Sequence, residues 1–114
     1  MSKDPIDPEK LANDWLTGHL SIEDIYEYLD NNCPTEDFST CELNHVAQCC
    51  YHIYLWHIGK LPDLGRFLAA VLKNDLFEAI NRADDTNAKA LKLYVMFLHN
   101  VAPGTWWAKA KAEL

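Results

Sequence analysis

The chain has 114 residues, of which 49% are hydrophobic and 24% charged, enough apolar material for one domain with a real core. Its formal net charge of −7 argues against non-specific nucleic-acid binding, which requires Lys and Arg to neutralise phosphates. No run of about 18 uncharged apolar residues is present, because the richest stretch, Val46 to Ile58, is interrupted by Gln48, His52 and His57; no membrane span is expected. The opening MSKDPIDPEK is too polar and acidic for a signal or transit peptide, so a cytoplasmic protein is expected. Cys33, Cys41, Cys49 and Cys50 are then expected as free thiols.

The charge is unevenly distributed. Residues 1–45 carry eleven acids and two lysines, a net of −9, whereas residues 46–114 carry eight basic residues and six acids, a net of +2. An acidic helical face that is merely solvated accounts for this. So do an acidic surface offered to a basic protein and an anionic ligand held by the second half.

Residues 1–6 read as a flexible arm leading to a helix with Asp7 as N-cap, Pro8 in its first position and Glu9 in its first turn. Leu11, Trp15 and Leu16 supply its buried side, and Gly18 stops it. Ser21 caps a second helix, with Glu23 and Asp24 at the positive end of its dipole and Ile22, Ile25, Tyr26 and Leu29 at helical spacing. Asn31, Asn32 and Pro34 end it, and a loop from Pro34 to Phe38 follows. Ser39 with Glu42 three residues on is a capping box, opening a helix of about eighteen residues that Gly59 closes. That helix, about residues 41–58, is apolar around most of its circumference and is expected at the centre, with Leu55 and Trp56 outside its main face.

Pro62 and Asp63 restart the chain. Leu68, Leu72, Leu76, Ala79 and Ala83 then form one apolar stripe, with Asn74 placed to bend or cap the helix midway. Asp84 caps a further helix whose Ala90, Leu91, Tyr94, Phe97, Leu98 and Val101 face inward and whose Lys89, Lys92, His99 and Asn100 face out. Pro103 and Gly104 end it, and a last helix runs from Thr105 to about Glu113. No segment alternates with period two, so the expected fold is all-α: a compact bundle of five to six short and medium helices, in one domain, around the central helix.

Several constellations carry chemistry as candidates. Cys41, His45, Cys49 and His52 lie within about 80° of one another on the central helix, but positions 41 and 52 are about 16 Å apart along its axis, too far for one Zn²⁺. At most an adjacent pair such as His45 and Cys49 shares an ion, so no metal and no cofactor are expected, and a half-buried thiol and imidazole face is the simpler account. A cysteine nucleophile with a histidine base has candidates in Cys49 and Cys50 beside His45, His52 and His57, but reactive thiolates favour helix N-termini and electropositive surroundings. Cys41, near a helix start, has Glu42 beside it. Phosphate-binding glycine loops and His-Glu-x-x-His are absent from the sequence.

Four tryptophans suit a core, an oligomer interface or a stacking platform. Trp106 and Trp107 stand out because neighbours on a helix point about 100° apart, which makes both hard to bury in one small monomer. In the segment from Arg66 to Asn87, Glu78 with Arg82 is an i,i+4 pair, and Asp84 with Asn87 an N-cap pair. The same Asn74, Asp75, Arg82, Asp84 and Asn87, with Arg66, also read as donors and acceptors clustered at a helix junction, Arg82 being the anion or base contact.

Phe67-Leu68-x-Ala70-Val71-Leu72-x-Asn74-Asp75-Leu76, followed by Ala79 and Arg82-Ala83-Asp84-x-x-Asn87, an aromatic-rich helix and a Pro103 to Trp107 ending, resembles a group of small uncharacterised phage and prophage proteins. The resemblance covers about residues 62–107. Leu64-Gly65-Arg66 stands where a more glycine-rich lead-in is usual, and a Trp-Gly-Ser-Pro-like ending is lacking. Small phage-type proteins that are acidic and lack a catalytic motif generally act by binding, so a non-enzymatic accessory or counter-defence protein in the host cytoplasm, blocking a host protein through an acidic, aromatic surface, is expected. A homo-oligomer is expected, and an alternative is that it cages an anionic small molecule such as a nucleotide signal, using Arg66, Arg82, Lys89, Lys92 and tryptophan stacking. A small Cys- or His-dependent hydrolase is the third.

Overall fold

The computed structural model describes residues 7–32 and 38–114. The expected N-terminal arm, most of the loop before Phe38, and Cys33 lie outside the described residues. These comprise eight α-helices and no strand, so the fold is all-α.

Helix α1 (Pro8–Thr17) starts where the Asp7 side chain accepts the Glu9 backbone N–H at 2.9 Å, and ends at Gly18, whose φ of +78° few side-chain-bearing residues tolerate. It buries Leu11 and Trp15, whereas Leu16, expected on the same face, is 71% exposed. Positions 15 and 16 lie about 100° apart, and the core covers only the side occupied by Trp15. In α2 (Ile22–Asn32) the Ser21 hydroxyl accepts the Asp24 N–H, and Ile25, Tyr28 and Leu29 are buried. Lys10 joins α1 to α2 by reaching Asp14 and Asp24.

The capping box is present: Ser39 and Glu42 each accept the other's backbone N–H, at 3.1 and 2.9 Å, and so open α3 (Thr40–His57). Leu43, Val46, Ala47, Cys50, Ile53, Tyr54 and Trp56 are buried along it, which makes α3 the central helix. Trp56, expected outside the main face, is buried, and Lys109 of the last helix lies over its ring, 4.7 Å from the centroid. Gly59, with φ +87°, follows the end of α3.

The stripe expected through residues 66–83 is broken at Asn74, the residue expected to bend or cap it midway. Two helices, α4 (Arg66–Leu72) and α5 (Leu76–Arg82), meet at Asn74, whose φ is +59°. The Asp75 N–H bonds to Ala70 C=O at 2.9 Å and the Asn74 N–H to Val71 C=O at 3.1 Å, a Schellman ending with asparagine in the left-handed position. The turn re-aims the stripe. Leu68, Leu72 and Ala79 remain buried and Ala83 half-buried, but Leu76 is 69% exposed. The element expected after Asp84 is likewise divided, into α6 (Asp85–Lys89) and α7 (Leu91–Asn100), separated at Ala90. Asp84 caps it, and Lys89, Lys92, His99 and Asn100 are exposed as expected. Of the inward set, Ala90, Tyr94, Phe97, Leu98 and Val101 are buried, whereas Leu91 is half-buried and Leu93 is buried in its place. Helix α8 (Thr105–Glu113) closes the described chain. Two such breaks turn the expected five to six helices into eight.

One hydrophobic cluster runs from Leu11 to Ala110, with α3 at its centre. Helix α5 packs principally on α4. No helix among the described residues is long and apolar enough to cross a membrane.

Candidate functional site

The residues singled out in the sequence are distributed over three places. At the α4–α5 junction, Asn74 supplies the left-handed residue and Asp75 is the N-cap of α5, accepting the Glu78 N–H at 3.1 Å. Arg82 is held by Glu78 at 2.7 Å on the same helix. Asp84 caps α6 by accepting the Asn87 N–H at 2.7 Å. These contacts are the helix-terminal chemistry that residues of these types make with their own backbone. They leave the polar set without a convergent centre.

Asn87 and Arg66 belong instead to a groove of about 300 Å³ between α3 and the start of α4, lined also by His45, Gln48, Cys49 and His52. Asn87 is buried, and its Oδ1 accepts the Tyr94 hydroxyl at 2.7 Å across the Ala90 break. Cys49 Sγ lies 3.7 Å from His45 Nε2. Burial pushes the Cys49 thiol up, against a smaller pull downward from the Tyr94 hydroxyl, and burial pushes Cys50 up further. Tyr94 is raised well above the ordinary phenol range, first by its own burial. The groove therefore holds a protonated thiol at ordinary pH, the opposite of an activated nucleophile. Among the described residues, no three His, Cys, Asp or Glu side chains are grouped as metal ligands.

The four cations expected to cage an anion do not line one cavity. Arg82 is paired with Glu78 and Lys89 with Glu42 at 3.0 Å, while Lys92 is exposed on α7 and Arg66 lines the α3–α4 groove. Glu42 is held below the usual carboxylate range, first by the Ser39 backbone N–H and then by Lys89.

Trp106 and Trp107 do not diverge as helical spacing suggests. Their rings stack with centroids 4.8 Å apart and planes 16° from parallel. Trp106 is half-buried and Trp107 is 43% exposed, and both line an open cavity of about 440 Å³ with Asn74, Val95, Leu98 and Ala102. Val95, at 60% exposed, is another large apolar residue facing water on its rim.

The surface that sequence reasoning missed is the outer face of α5. Leu76, Phe77 and Ile80 are 69, 84 and 49% exposed, and only Ala79 of this helix is buried. A signal for it was present: Leu76, Phe77, Ala79, Ile80 and Ala83 wrap more of a seven-residue helix than one neighbour can cover. Three large apolar side chains exposed on consecutive turns of one helix form an apolar surface patch.

A further polar network ties α8 to the body. The Trp15 indole N–H donates to His57 Nδ1 at 3.0 Å, and His57 Nε2 lies 3.0 Å from the Thr105 hydroxyl. Lys109 Nζ donates to Trp56 C=O at 2.6 Å. Burial, then the Lys109 charge, lowers the His57 pKa, in keeping with a neutral ring that accepts at Nδ1.

Comparison with protein-family models, with curated proteins and with solved structures finds no match.

Proposed function

We propose that the chain acts by binding another protein, without chemistry of its own, and that α5 is the helix it offers. The observation carrying this reading is the exposure of Leu76, Phe77 and Ile80 on one helix. An amphipathic helix can dock its apolar face into a hydrophobic groove of a partner, with Leu76 and Ile80 at i and i+4 and Phe77 beside them. Desolvating a phenylalanine and two branched aliphatics removes apolar area from water, the main driving force of such contacts.

The resemblance of residues 62–107 to small phage and prophage proteins gives this activity its setting. The chain is an accessory or counter-defence protein that inhibits a bacterial host protein by occupying one of its surfaces. The net charge of −9 over residues 1–45 favours a basic partner and speeds the encounter. The anion-caging alternative draws less support, since Arg82 and Lys89 are engaged by Glu78 and Glu42. The hydrolase alternative draws less again, since burial holds Cys49 and Cys50 protonated.

Affinity capture from a bacterial lysate, with the wild-type chain and Phe77→Asp as paired baits, tests the proposal. A partner retained by the first and lost by the second, with both baits equally folded by circular dichroism, is the expected result. Equal retention by both overturns it.

A further inference from the structure

We infer that the groove between α3 and the start of α4 binds a small organic carboxylate, its charged head held by Arg66 and the Asn87 side-chain amide and its apolar body lying on Leu64 and Phe67. The site is separate from the α5 face and is complete within one copy of the chain. Asn87 carries the argument. It is only 9% exposed, and its Oδ1 accepts the Tyr94 hydroxyl at 2.7 Å. That bond fixes the amide, with the oxygen toward Tyr94 and the two N–H groups of Nδ2 turned the other way. Among the described residues Nδ2 has no partner, yet none of their fully buried side-chain nitrogens or oxygens lacks one. Nδ2 is therefore reached from the groove that Asn87 lines. A donor left open on an otherwise buried side chain, and held in place by a second bond, is a preorganised contact for an acceptor.

Arg66 supplies the charge. It is exposed, lines the same groove and has no acidic partner among the described residues, unlike Arg82 on Glu78 and Lys89 on Glu42. No Asp or Glu lines the groove. Asp63 and Asp84, the acids bonded to its lining residues, are engaged by the backbone N–H groups of Gly65 and Asn87. His45 and His52 each carry an N–H in either protonation state, and Gln48 carries two more. This donor set complements a group that only accepts, and a guanidinium fork matches a carboxylate.

Size and the remaining wall define the rest of the ligand. A volume of about 300 Å³ stands at the lower end of small-molecule sites. Leu64 is buried and Phe67 half-buried beside the donors, so one side of the groove is apolar. A bare inorganic anion would leave that side wet, whereas a carboxylate with an apolar body covers it.

Titration of the full ¹⁵N-labelled chain with benzoate, followed at the Asn87 side-chain amide, tests this against two comparison probes. Benzamide keeps the ring and loses the charge; inorganic phosphate keeps a charge and loses the ring. The expected result is a saturable shift with benzoate, binding at least about tenfold more tightly than either. Arg66→Gln is expected to weaken benzoate about tenfold, and Arg82→Gln, which removes the same charge from α5, to leave it unchanged. Asn87→Asp keeps an oxygen for Tyr94 but replaces the donor with an anionic acceptor, and is expected to abolish binding with helical content retained. Should that buried substitution unfold the chain, the exposed Arg66→Gln still decides. No saturable shift with benzoate up to about 10 mM overturns the inference. So do equal binding of benzamide or of phosphate, and benzoate affinity that is unchanged in Arg66→Gln.

Discussion

Helices α3 and α5 are both rich in large apolar residues, yet α3 buries Val46, Ile53, Tyr54 and Trp56 while α5 buries only Ala79. The difference lies in their neighbours. Helix α3 has α2 along it and contacts α7, whereas α5 is packed chiefly against α4. Apolar composition thus builds a core where other elements close round a helix, and leaves an exposed apolar face where they do not.

The largest effect that sharpens the contrast is in the core. Leu72→Ala, at a fully buried position, is expected to cost about 2–5 kcal/mol in urea unfolding, the range for truncating a buried leucine. Leu76→Ala, four residues on in the same apparent stripe, should change stability by no more than about 0.5 kcal/mol in the monomer. Equal losses at the two positions would erase the distinction.

Next in size is Tyr94→Phe, which removes the donor to the buried Asn87 Oδ1 and is expected to cost about 1–3 kcal/mol in the same assay. Replacing Asn74 with alanine is expected to cost about 1–2 kcal/mol, since a residue with a Cβ but no hydrogen-bonding side chain must hold φ near +59°. Asn74→Gly should be neutral or slightly stabilising. The orientation of α5 depends on this position, so Asn74→Ala also probes whether the turn is what keeps the outer face out.

Acid should loosen α8 before it disturbs α5. His57 has a depressed pKa, so the unfolded chain binds its proton first; its contribution is complete above about pH 6.5 and is lost as pH falls below that toward the folded-state pKa. Protonation places a second N–H at Nδ1, opposite the Trp15 N–H, and a positive charge near Lys109. Unfolding followed between pH 8 and 5 should show a decline that His57→Gln flattens; parallel curves for the two chains would remove His57 from the account. The smallest expected effect is Arg82→Ala, about 0.3–0.5 kcal/mol in thermal melts, since its partner Glu78 is an exposed i,i+4 neighbour.

Much of this architecture was legible in the sequence, because helix ends are set by local chemistry. Asp7, Ser39 with Glu42, and Asp84 all cap as their side chains suggest, and Gly18 and Gly59 take the positive φ that their lack of a Cβ allows. The central position of α3 followed from its apolar circumference. Less legible were features that depend on distant parts of the chain. Periodicity put Leu72 and Leu76 on one stripe, but it does not say what covers a stripe, and the turn at Asn74 separates them. The Asn87–Tyr94 bond spans seven residues across a helix break, and the Trp15–His57–Thr105 network joins α1, α3 and α8. Among the candidate binding residues, Asp75, Arg82 and Asp84 are engaged in helix ends and a local ion pair, while Asn74, Trp106 and Trp107 line one cavity and Arg66 and Asn87 another.

The central claim is that α5 carries its large apolar side chains outward, as a surface and not as core. The unfolding free energy of Phe77→Asp, measured by urea titration at a dilution where the wild type is monomeric, tests it most directly. The account predicts a value within about 0.5 kcal/mol of wild type. A loss of about 3–5 kcal/mol, the cost of removing a buried phenylalanine, would show that Phe77 belongs to the chain's own interior and would contradict the account.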